Sequence, residues 1–208
     1  MTMHPAVAVL LSYVLGSIPA AYIAGRSRGV DLRKHGSGNL GATNVFRVLG
    51  AKVGVAVFLF DMAKGAVPVL LFPQWTSPAP WGLTSPLAIP IACGVAAIAG
   101  HVRPVFLKFG KGGKGVATAA GVFLGLAPIP ALVSLATFAA VLFASGYVSL
   151  GSLTAATILP IAVYLTSGVS PLLFVSVAVA VFVFWTHRAN IVRLRRGEEH
   201  RFGRKPAG

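Results

Sequence analysis

The chain has 208 residues, of which 56% are hydrophobic and 11% are charged, and its 18 Lys and Arg outnumber 4 Asp and Glu. Because soluble domains usually carry about 25% charged residues, this composition excludes a soluble domain with a single anchor and indicates a membrane protein with several spans. The basic residues lie between apolar segments, so anionic lipid headgroups or small phosphorylated substrates are expected as partners, and nucleic acid is not.

Seven continuous apolar segments follow one another and predict an all-α polytopic membrane protein, a single domain over residues 1–208. The runs do not alternate between apolar and polar residues, which argues against a closed barrel. The first run has no basic region before it, so we expect a span and not a signal peptide. The segments are about Pro5–Gly25, Val53–Phe72, Leu87–Leu107, Val116–Leu126, Ala131–Phe143, Gly151–Leu165 and Leu172–Trp185.

Small residues recur at intervals of four in the first and fourth segments. Gly16, Ala20 and Ala24 have this spacing in the first, and Gly121 and Gly125 in the fourth. Because small side chains let two helices approach closely in a membrane, helix contacts are expected at these faces.

The distribution of Lys and Arg predicts the orientation of the seven spans. Three segments that would face one side are basic, namely 26–52, 108–115 and the tail, about 188–208, whereas the fourth, 144–150, is uncharged. The opposite loops, 73–86, 127–130 and 166–171, contain no Lys or Arg. The positive-inside rule then places the N-terminus outside and the C-terminus in the cytoplasm. Trp75 and Trp81 in the first opposite loop suit a membrane interface.

The first polar cluster is the loop Gly36–Arg47, GSGNLGATNVFR, on the predicted cytoplasmic side. Glycines allow backbone N–H groups to approach an anion, and hydroxyls and amides supply oriented hydrogen bonds. The alternative is a polar turn that begins a helix. The candidate phosphate-binding residues of this loop are Ser37, Gly38, Asn39, Thr43, Asn44 and Arg47.

The second cluster, KGGKG over residues 111–115, is similar to a phosphate-binding loop. It is not a Walker A sequence, because Gly115 stands where Ser or Thr is required after Lys114. It directly precedes the fourth segment, whose positive helix end would favour an anion. The alternative is a pair of lysines that only sets topology. The candidate residues are Lys111, Gly112, Gly113 and Lys114.

Charged and titratable residues also lie within the second and third segments. His101 stands near the predicted cytoplasmic end of the third, where it is either a site residue or only interfacial. Asp61 and Lys64 are three apart and share a helix face, where they face the bundle interior. We expect Asp61 to form a structural ion pair, whereas Lys64 has either a structural or a binding role.

Two further polar stretches lie on the predicted cytoplasmic side. The uncharged break SGYVSLGS contains Ser149 and Ser152 and is otherwise a simple turn. The stretch that ends the last span, HRANIVRLRRGE, is otherwise a solvated stop-transfer tail. Its candidate site residues are His187, Asn190, Arg193 and Glu198.

Several kinds of chemistry have no signature here. There is no His-Glu-x-x-His pair, no G-x-S-x-G elbow and no His followed five positions later by Asp. The single cysteine, Cys93, excludes an intramolecular disulfide and a site of several cysteines. Neither a metal nor a cofactor is expected. What remains is anion binding with little acid–base machinery.

These motifs occur in a recognisable order: SGNLGATNVFR, GH-x-x-PVFL with KGGKGVAT, YVSLGS and HRANIVRLRRGEE. Together they closely resemble the bacterial integral-membrane acyl-phosphate:glycerol-3-phosphate acyltransferases over nearly the whole chain. In this family the stretch from His101 to the glycines is about one residue shorter, so either Lys108 or Lys111 corresponds to its first lysine.

The resemblance implies seven helices in the bacterial inner membrane with an active site facing the cytoplasm. It implies transfer of a fatty acyl group from acyl phosphate to the 1-hydroxyl of glycerol 3-phosphate, giving lysophosphatidate and phosphate. Both substrates carry phosphate, which fits the two basic, glycine-rich loops. Membrane lipids are the other expected partners, and no obligate protein partner is expected.

Roles follow from the resemblance as hypotheses. The Gly36–Arg47 residues would bind the phosphate of glycerol 3-phosphate, and Gly112, Gly113 and Lys114 the other phosphate, with Lys64 adding charge. Ser152 or, alternatively, Ser149, with His187 and Asn190, would position the reacting groups or stabilise the oxyanion. His101 and Glu198 would support the site. The general base is either a substrate phosphate oxygen or His187.

Two readings other than an enzyme are open at this point. A transporter of phosphate esters would place polar residues at mid-membrane in repeated halves, whereas here they lie at one face. A lipid-binding scaffold would leave the loops rich in Asn, Ser and Thr without a role.

Overall fold

The computed structural model describes residues 2–77 and 85–202, and this part of the chain is mostly helical. It divides into two compact units, an N-terminal unit, Met1–Leu126, and a C-terminal unit, Ala127–Gly208. The helices are α1 Pro5–Gly16, α2 Ala20–Arg26, α3 Ala42–Leu49, α4 Ala51–Leu71, α5 Ala88–Val102, α6 Val116–Leu126, α7 Pro128–Ser145, α8 Val148–Ser167, α9 Pro171–Thr186 and α10 Arg188–Arg195.

Each predicted apolar segment is largely helical, although the first is divided into α1 and α2 and the segments differ in length. Five stretches in the described part of the chain are long and apolar enough to cross a membrane: Pro5–Arg26, Ala51–Trp75, Ala88–Leu107, Pro128–Ser145 and Val148–Ser167. The pair α9 and α10, bent by 60° at His187, makes a sixth if it counts as one span. With 11 residues, α6 is about 16 Å long, roughly half the hydrocarbon thickness. The seven crossings and their orientation therefore stay predictions.

The observed helix boundaries differ most from the predicted ones in the C-terminal unit. Helix α7 begins at Pro128, before the predicted Ala131, because proline is tolerated in a first helical turn, where its missing N–H has no intrahelical partner. The predicted break 144–150 shrinks to Gly146 and Tyr147 between α7 and α8. Gly146 has φ of 77°, a left-handed conformation that glycine adopts at little cost.

In the N-terminal unit, α1 crosses α5 with backbone against backbone. A Cβ on Gly16 would overlap the main chain of Ala97, and one on Gly100 would overlap the Tyr13 carbonyl. The expected close contact at Gly16 is confirmed. Gly121 of α6 meets the Met62 carbonyl of α4 in the same way, as its spacing predicts.

The short helix α3 packs on α4 and covers a small apolar core. This core holds the loop that precedes α3 against the membrane-spanning helices, because Leu32 and Leu40 of the loop are buried with Val45 and Val57. In the C-terminal unit α8 packs between α7 and α9 and also contacts α10. There the tail folds back, since the Phe202 N–H donates to the Gly146 carbonyl. Trp81 and the end of the predicted basic tail, residues 203–208, lie outside the described residues.

Candidate active site

The loop before α3 is organised by the side chain of Asn44, which is almost completely buried. Its Oδ1 accepts from the Ser37 backbone N–H at 2.8 Å. Its Nδ2 donates to the carbonyls of Leu32 and His35, both at 3.1 Å. Since the amide group has only two N–H donors, both are used within the loop. Asn44 therefore shapes this loop, and in this conformation it offers no donor to a phosphate.

The glycines of the loop have the backbone conformations that this arrangement needs. Gly36 and Gly38 have φ of 62° and 69°, in the left-handed region. A Cβ on Gly36 would also overlap Asn44 Oδ1. Ser37 lies between them and is exposed, while Asn39 and Thr43 are partly buried. Thr43 and Arg47 are four apart on α3, so they share a face. The loop thus brings hydroxyl, amide and guanidinium groups together around an ordered backbone.

Just before this loop, Asp31 and Arg33 form a two-point ion pair. Arg33 Nε and Nη2 lie 2.9 Å and 2.8 Å from the two carboxylate oxygens of Asp31. The hydrogen bond from Arg33 lowers the pKa of the Asp31 carboxyl. Arg33 also lies over the Tyr22 ring, with its Cζ 5.1 Å from the ring centroid. Arg33 therefore has a structural role in the loop before α3.

A buried charge cluster lies deeper in the N-terminal unit. Lys64 Nζ is 2.7 Å from Asp61 Oδ1, and both side chains are at most 3% exposed. Lys64 also donates to the Ile18 carbonyl at 2.9 Å, beside the break between α1 and α2. His101 Nδ1 is 3.5 Å from Asp61 Oδ1. The predicted structural ion pair is confirmed, and Lys64 is a partner in it.

The KGGKG loop lies on the C-terminal end of α5. The Gly112 N–H donates to the Val102 carbonyl at 3.0 Å and the Gly113 N–H to the His101 carbonyl at 3.2 Å. Both amides therefore satisfy carbonyls that the end of α5 would leave without intrahelical partners. In this conformation both N–H groups are used within the protein, and the two glycines allow close packing against His101 and Pro104. Their binding of phosphate stays a prediction.

The side chains of the loop lysines differ in exposure. Lys111 is exposed and Lys114 is partly buried next to the start of α6. Lys108 and the following Phe109 have φ of 53° and 58°, which is uncommon for residues other than glycine. These two residues form the turn that follows the short helical turn Val105–Leu107.

In the C-terminal unit a carboxylate connects three candidate residues, and it belongs to Glu199. Its Oε1 accepts from Asn190 Nδ2 at 2.7 Å and from Ser149 Oγ at 3.0 Å. Its Oε2 accepts from Arg193 Nε, also at 2.7 Å. The Glu199 side chain is only 7% exposed. This arrangement joins α8, α10 and the tail.

The carboxylate that contacts these candidate residues is thus Glu199, and not the predicted Glu198. Glu198 is exposed, and its backbone N–H donates to the Arg193 carbonyl in the turn that ends α10. The sequence Gly-Glu-Glu indicates a carboxylate here, but only the turn through Gly197, with φ of 71°, decides which one points inward.

Burial alone would raise the pKa of Glu199. Hydrogen bonds from Asn190, Arg193 and Ser149 outweigh this effect, so the pKa of the carboxyl is lowered below its ordinary value. The group is thus held as a carboxylate with all of its partners as donors.

The remaining candidates lie at the ends of α8 and α9. His187, at the bend between α9 and α10, is 3% exposed, and its Nδ1 lies 2.8 Å from the Val183 carbonyl oxygen. In the neutral ring the proton therefore sits on Nδ1, and Nε2 is the acceptor. Ser152 Oγ donates to the Val148 carbonyl at 2.9 Å within its own helix. An Oγ that donates in this way keeps lone pairs for accepting a hydrogen bond.

Within the described ranges, no group of three or more His, Cys, Asp or Glu side chains could hold a metal ion. Apart from the paired carboxylates of Asp61 and Glu199, the polar side chains of the candidate site are hydroxyls, amides, imidazoles and cations, which suit anionic oxygen atoms.

Known proteins are similar along nearly the full chain. A family model described as glycerol-3-phosphate acyltransferase matches residues 6–197. The glycerol-3-phosphate acyltransferase of Geobacter metallireducens is 52% identical over 191 residues, covering 92% of this chain and 94% of the relative. That of Geotalea daltonii is 46% identical over 198 residues, covering 95% of this chain and 97% of the relative.

Two crystal structures of PlsY (YgiH), an integral membrane glycerol 3-phosphate acyltransferase, have the same fold. The glycerol 3-phosphate form matches with a TM-score of 0.86 at 40% identity, over 96% of both chains. The lysophosphatidic acid form matches with a TM-score of 0.83 at 39% identity, over 96% of this chain and 95% of the other. From its motifs, its helices and these relatives, this chain belongs to the glycerol-3-phosphate acyltransferase family of integral membrane proteins.

Proposed function

We propose that the protein transfers a fatty acyl group from acyl phosphate to the 1-hydroxyl of glycerol 3-phosphate, releasing lysophosphatidate and phosphate. The observation that carries this proposal is the pair of PlsY structures, whose glycerol 3-phosphate and lysophosphatidic acid forms represent an acceptor and its acylated product. The sequence motifs indicate the donor, because this chain closely resembles the acyl-phosphate-dependent enzymes.

The proposed reaction is one acyl transfer. The oxygen of the 1-hydroxyl forms a bond to the acyl carbonyl carbon, and the bond from that carbon to the phosphate oxygen breaks. Inorganic phosphate leaves with its electron pair. The hydroxyl proton passes to a phosphate oxygen, whose second pKa is about 6, or to Nε2 of His187. No covalent enzyme intermediate is needed.

Residues of the N-terminal unit are proposed to hold phosphate groups. Arg47 can bind phosphate with two N–H groups at once, and Ser37 and Thr43 can donate hydroxyl hydrogen bonds. Lys114 supplies a charge next to the start of α6, whose N-terminus favours an anion. Asn44, Gly112 and Gly113 keep these groups in place through the hydrogen bonds described above.

Residues of the C-terminal unit are proposed to act on the reacting groups. His187 presents an acceptor nitrogen, and the Ser152 hydroxyl is held against its own helix. Asn190 is oriented by the hydrogen bond that its Nδ2 donates to Glu199. In these positions the three residues would orient the acyl carbonyl and the 1-hydroxyl for the transfer.

We also propose that the chain crosses the bacterial inner membrane seven times, with the N-terminus outside and the reaction at the cytoplasmic face. The charge distribution supports this orientation. Because α6 alone is short, the loop before it would have to complete that crossing. Labelling of single cysteines placed at 78–84 and in the 197–202 tail from either side of sealed vesicles would test it.

The activity is tested with purified protein, acyl phosphate and labelled glycerol 3-phosphate. We expect labelled lysophosphatidate and one phosphate per acyl group transferred, and no product when acyl-CoA replaces acyl phosphate. Intact acyl phosphate with no labelled lipid would refute the proposal. Product formed from acyl-CoA alone would leave an acyltransferase but refute the donor.

A further inference from the structure

A groove in the N-terminal unit lies between α2 and α4 and has a volume of about 560 Å³. Its lining is apolar apart from two residues, Arg28 and Lys52. Ile23, Ala56 and Phe60 line it and are exposed, so the groove opens on the outer surface of the helices. Known ligand pockets have volumes of about 300–1,000 Å³.

The two cations belong to the ends of their helices. Arg28 Nη1 donates to the Ala24 carbonyl at 3.3 Å, at the C-terminal end of α2. Lys52 is the second residue of α4. Arg28 follows the end of α2, and Lys52 is near the start of α4. The two cations therefore lie where the membrane-spanning segments Pro5–Arg26 and Ala51–Trp75 meet the polar loop that connects them. An occupant therefore has its charged part at the membrane surface and its apolar part within the bilayer.

The protein itself supplies no carboxylate partner for these cations in the part of the chain described. Asp31, Asp61 and Glu199 pair with Arg33, Lys64 and Arg193. No ion pair among the described residues includes Arg28 or Lys52, although all four acidic residues of the chain are described. An external anion would complement the two positive charges.

We propose that this groove binds one anionic phospholipid of the surrounding bilayer, with an acyl chain along α4 and its phosphate between Arg28 and Lys52. The apolar lining and the two cations match such an amphiphile. The acyl phosphate substrate has related chemistry, but none of the residues proposed for the reaction lines this groove. Its occupant is therefore a bound lipid and not the acyl donor.

The first experiment uses delipidated wild-type protein and needs no variant. Phosphatidylglycerol and phosphatidylcholine are titrated separately while bound lipid is counted by native mass spectrometry and the thermal midpoint is followed. We expect one phosphatidylglycerol per chain and a rise in Tm of about 3 °C or more, because a ligand that binds only the folded state stabilises it. Equal binding of phosphatidylcholine would overturn the proposal, since the cations would then contribute nothing.

The second experiment separates the groove from overall charge. Arg28→Gln with Lys52→Gln is expected to weaken phosphatidylglycerol binding at least tenfold. The matched control is Arg195→Gln with Arg196→Gln, which removes the same charge from exposed positions at the end of α10. An equal loss in the control would overturn the proposal.

The third experiment tests the apolar part and the source of the ligand. Ala56→Trp fills the groove and is expected to displace the lipid. Ala140→Trp, at an exposed position of α7, is the matched control and is expected to leave the lipid bound. The KM for acyl phosphate should stay within about twofold in both. A KM that rises tenfold in Ala56→Trp, with phosphatidylglycerol binding unchanged, would assign the groove to the acyl donor and refute our proposal.

Discussion

The imidazole of His101 lies directly against Gly113. A Cβ on Gly113 would overlap Nε2 and Cε1 of this ring, while Nδ1 on its other side is 3.5 Å from Asp61 Oδ1. The ring thus stands between a buried carboxylate on α4 and the basic loop before α6. The position of the ring therefore restricts where the backbone next to Lys114 can lie.

Gly113→Ala should therefore disturb the loop without unfolding the protein. The added methyl group must displace the His101 ring or the loop backbone, which moves Lys114. We expect the KM for one phosphate-bearing substrate to rise about tenfold, equivalent to about 1.4 kcal/mol of binding free energy. Steady-state kinetics in detergent, with each substrate varied in turn, would measure this.

The control is Gly125→Ala on α6, whose added methyl group would lie nearest to side-chain atoms of Val69 and Leu70. Its kinetics should be close to those of the wild type. Normal KM values in Gly113→Ala would contradict the positioning role of His101.

Removing either charge of the Asp61–Lys64 pair should destabilise the protein strongly. Each single variant, Asp61→Asn or Lys64→Met, leaves a buried charge without its partner, at a cost of about 3–5 kcal/mol. The double variant should be more stable than the sum of the single effects predicts, because no unpaired charge remains. Thermal unfolding of the four proteins completes the double-mutant cycle.

Strictly additive effects would show that Lys64 and Asp61 are not coupled. If the stable double variant also kept full activity, a role of Lys64 in binding the charged group of a substrate would be excluded.

Asn44→Ala should loosen the loop before α3. It removes three hydrogen bonds and leaves the carbonyls of Leu32 and His35 without these donors, so we expect a loss of about 2 kcal/mol in stability. The KM for glycerol 3-phosphate should rise as a consequence. Unfolding curves and kinetics on the same preparation would measure both.

Thr43→Val is the matched variant on the same helix. Because Thr43 is proposed to contact phosphate, its loss should raise KM while stability stays unchanged. A stable Asn44→Ala protein with only a binding defect would show that Asn44 contacts substrate directly.

Glu199→Gln should weaken the C-terminal unit by about 2–3 kcal/mol, because Arg193, Asn190 and Ser149 lose a charged acceptor. The pH dependence has a definite sign. A lowered pKa in the folded state stabilises the protein fully above the ordinary carboxyl value of about 4.5, and this contribution is lost as the pH falls through the lowered pKa. Thermal midpoints of wild type and variant should therefore converge in acid.

Glu198→Gln is the control, since that side chain is exposed. It should follow the wild-type curve at every pH. The opposite ranking of the two variants would restore Glu198 as the supporting carboxylate.

The sequence predicts those features whose physical signal is local or periodic. Continuous apolar runs predict the helices, a small residue every fourth position predicts the crossing at Gly16, and the i, i+3 spacing predicts the Asp61–Lys64 pair. These features depend on helix geometry alone.

The sequence does not show which partners a polar group meets when those partners are distant in the chain. Nothing in the loop sequence shows that both Asn44 donors are used within the loop, or that the amides of Gly112 and Gly113 are taken by the end of α5. The choice between Glu198 and Glu199 likewise depends on a turn and on partners as far away as Ser149. Periodicity carries no information about such contacts.

The crossing of α1 and α5 limits the substitutions that the enzyme can tolerate at Gly16 and Gly100. Gly100 is held by main-chain atoms of α1, and His101 is the next residue. Backbone atoms have no rotamers with which to compensate a shift, so the rotation of α5 at this level is fixed within narrow limits. The direction of the His101 ring thus depends on a contact between two helices, and substitutions at Gly16 or Gly100 should alter catalysis from within the predicted spans.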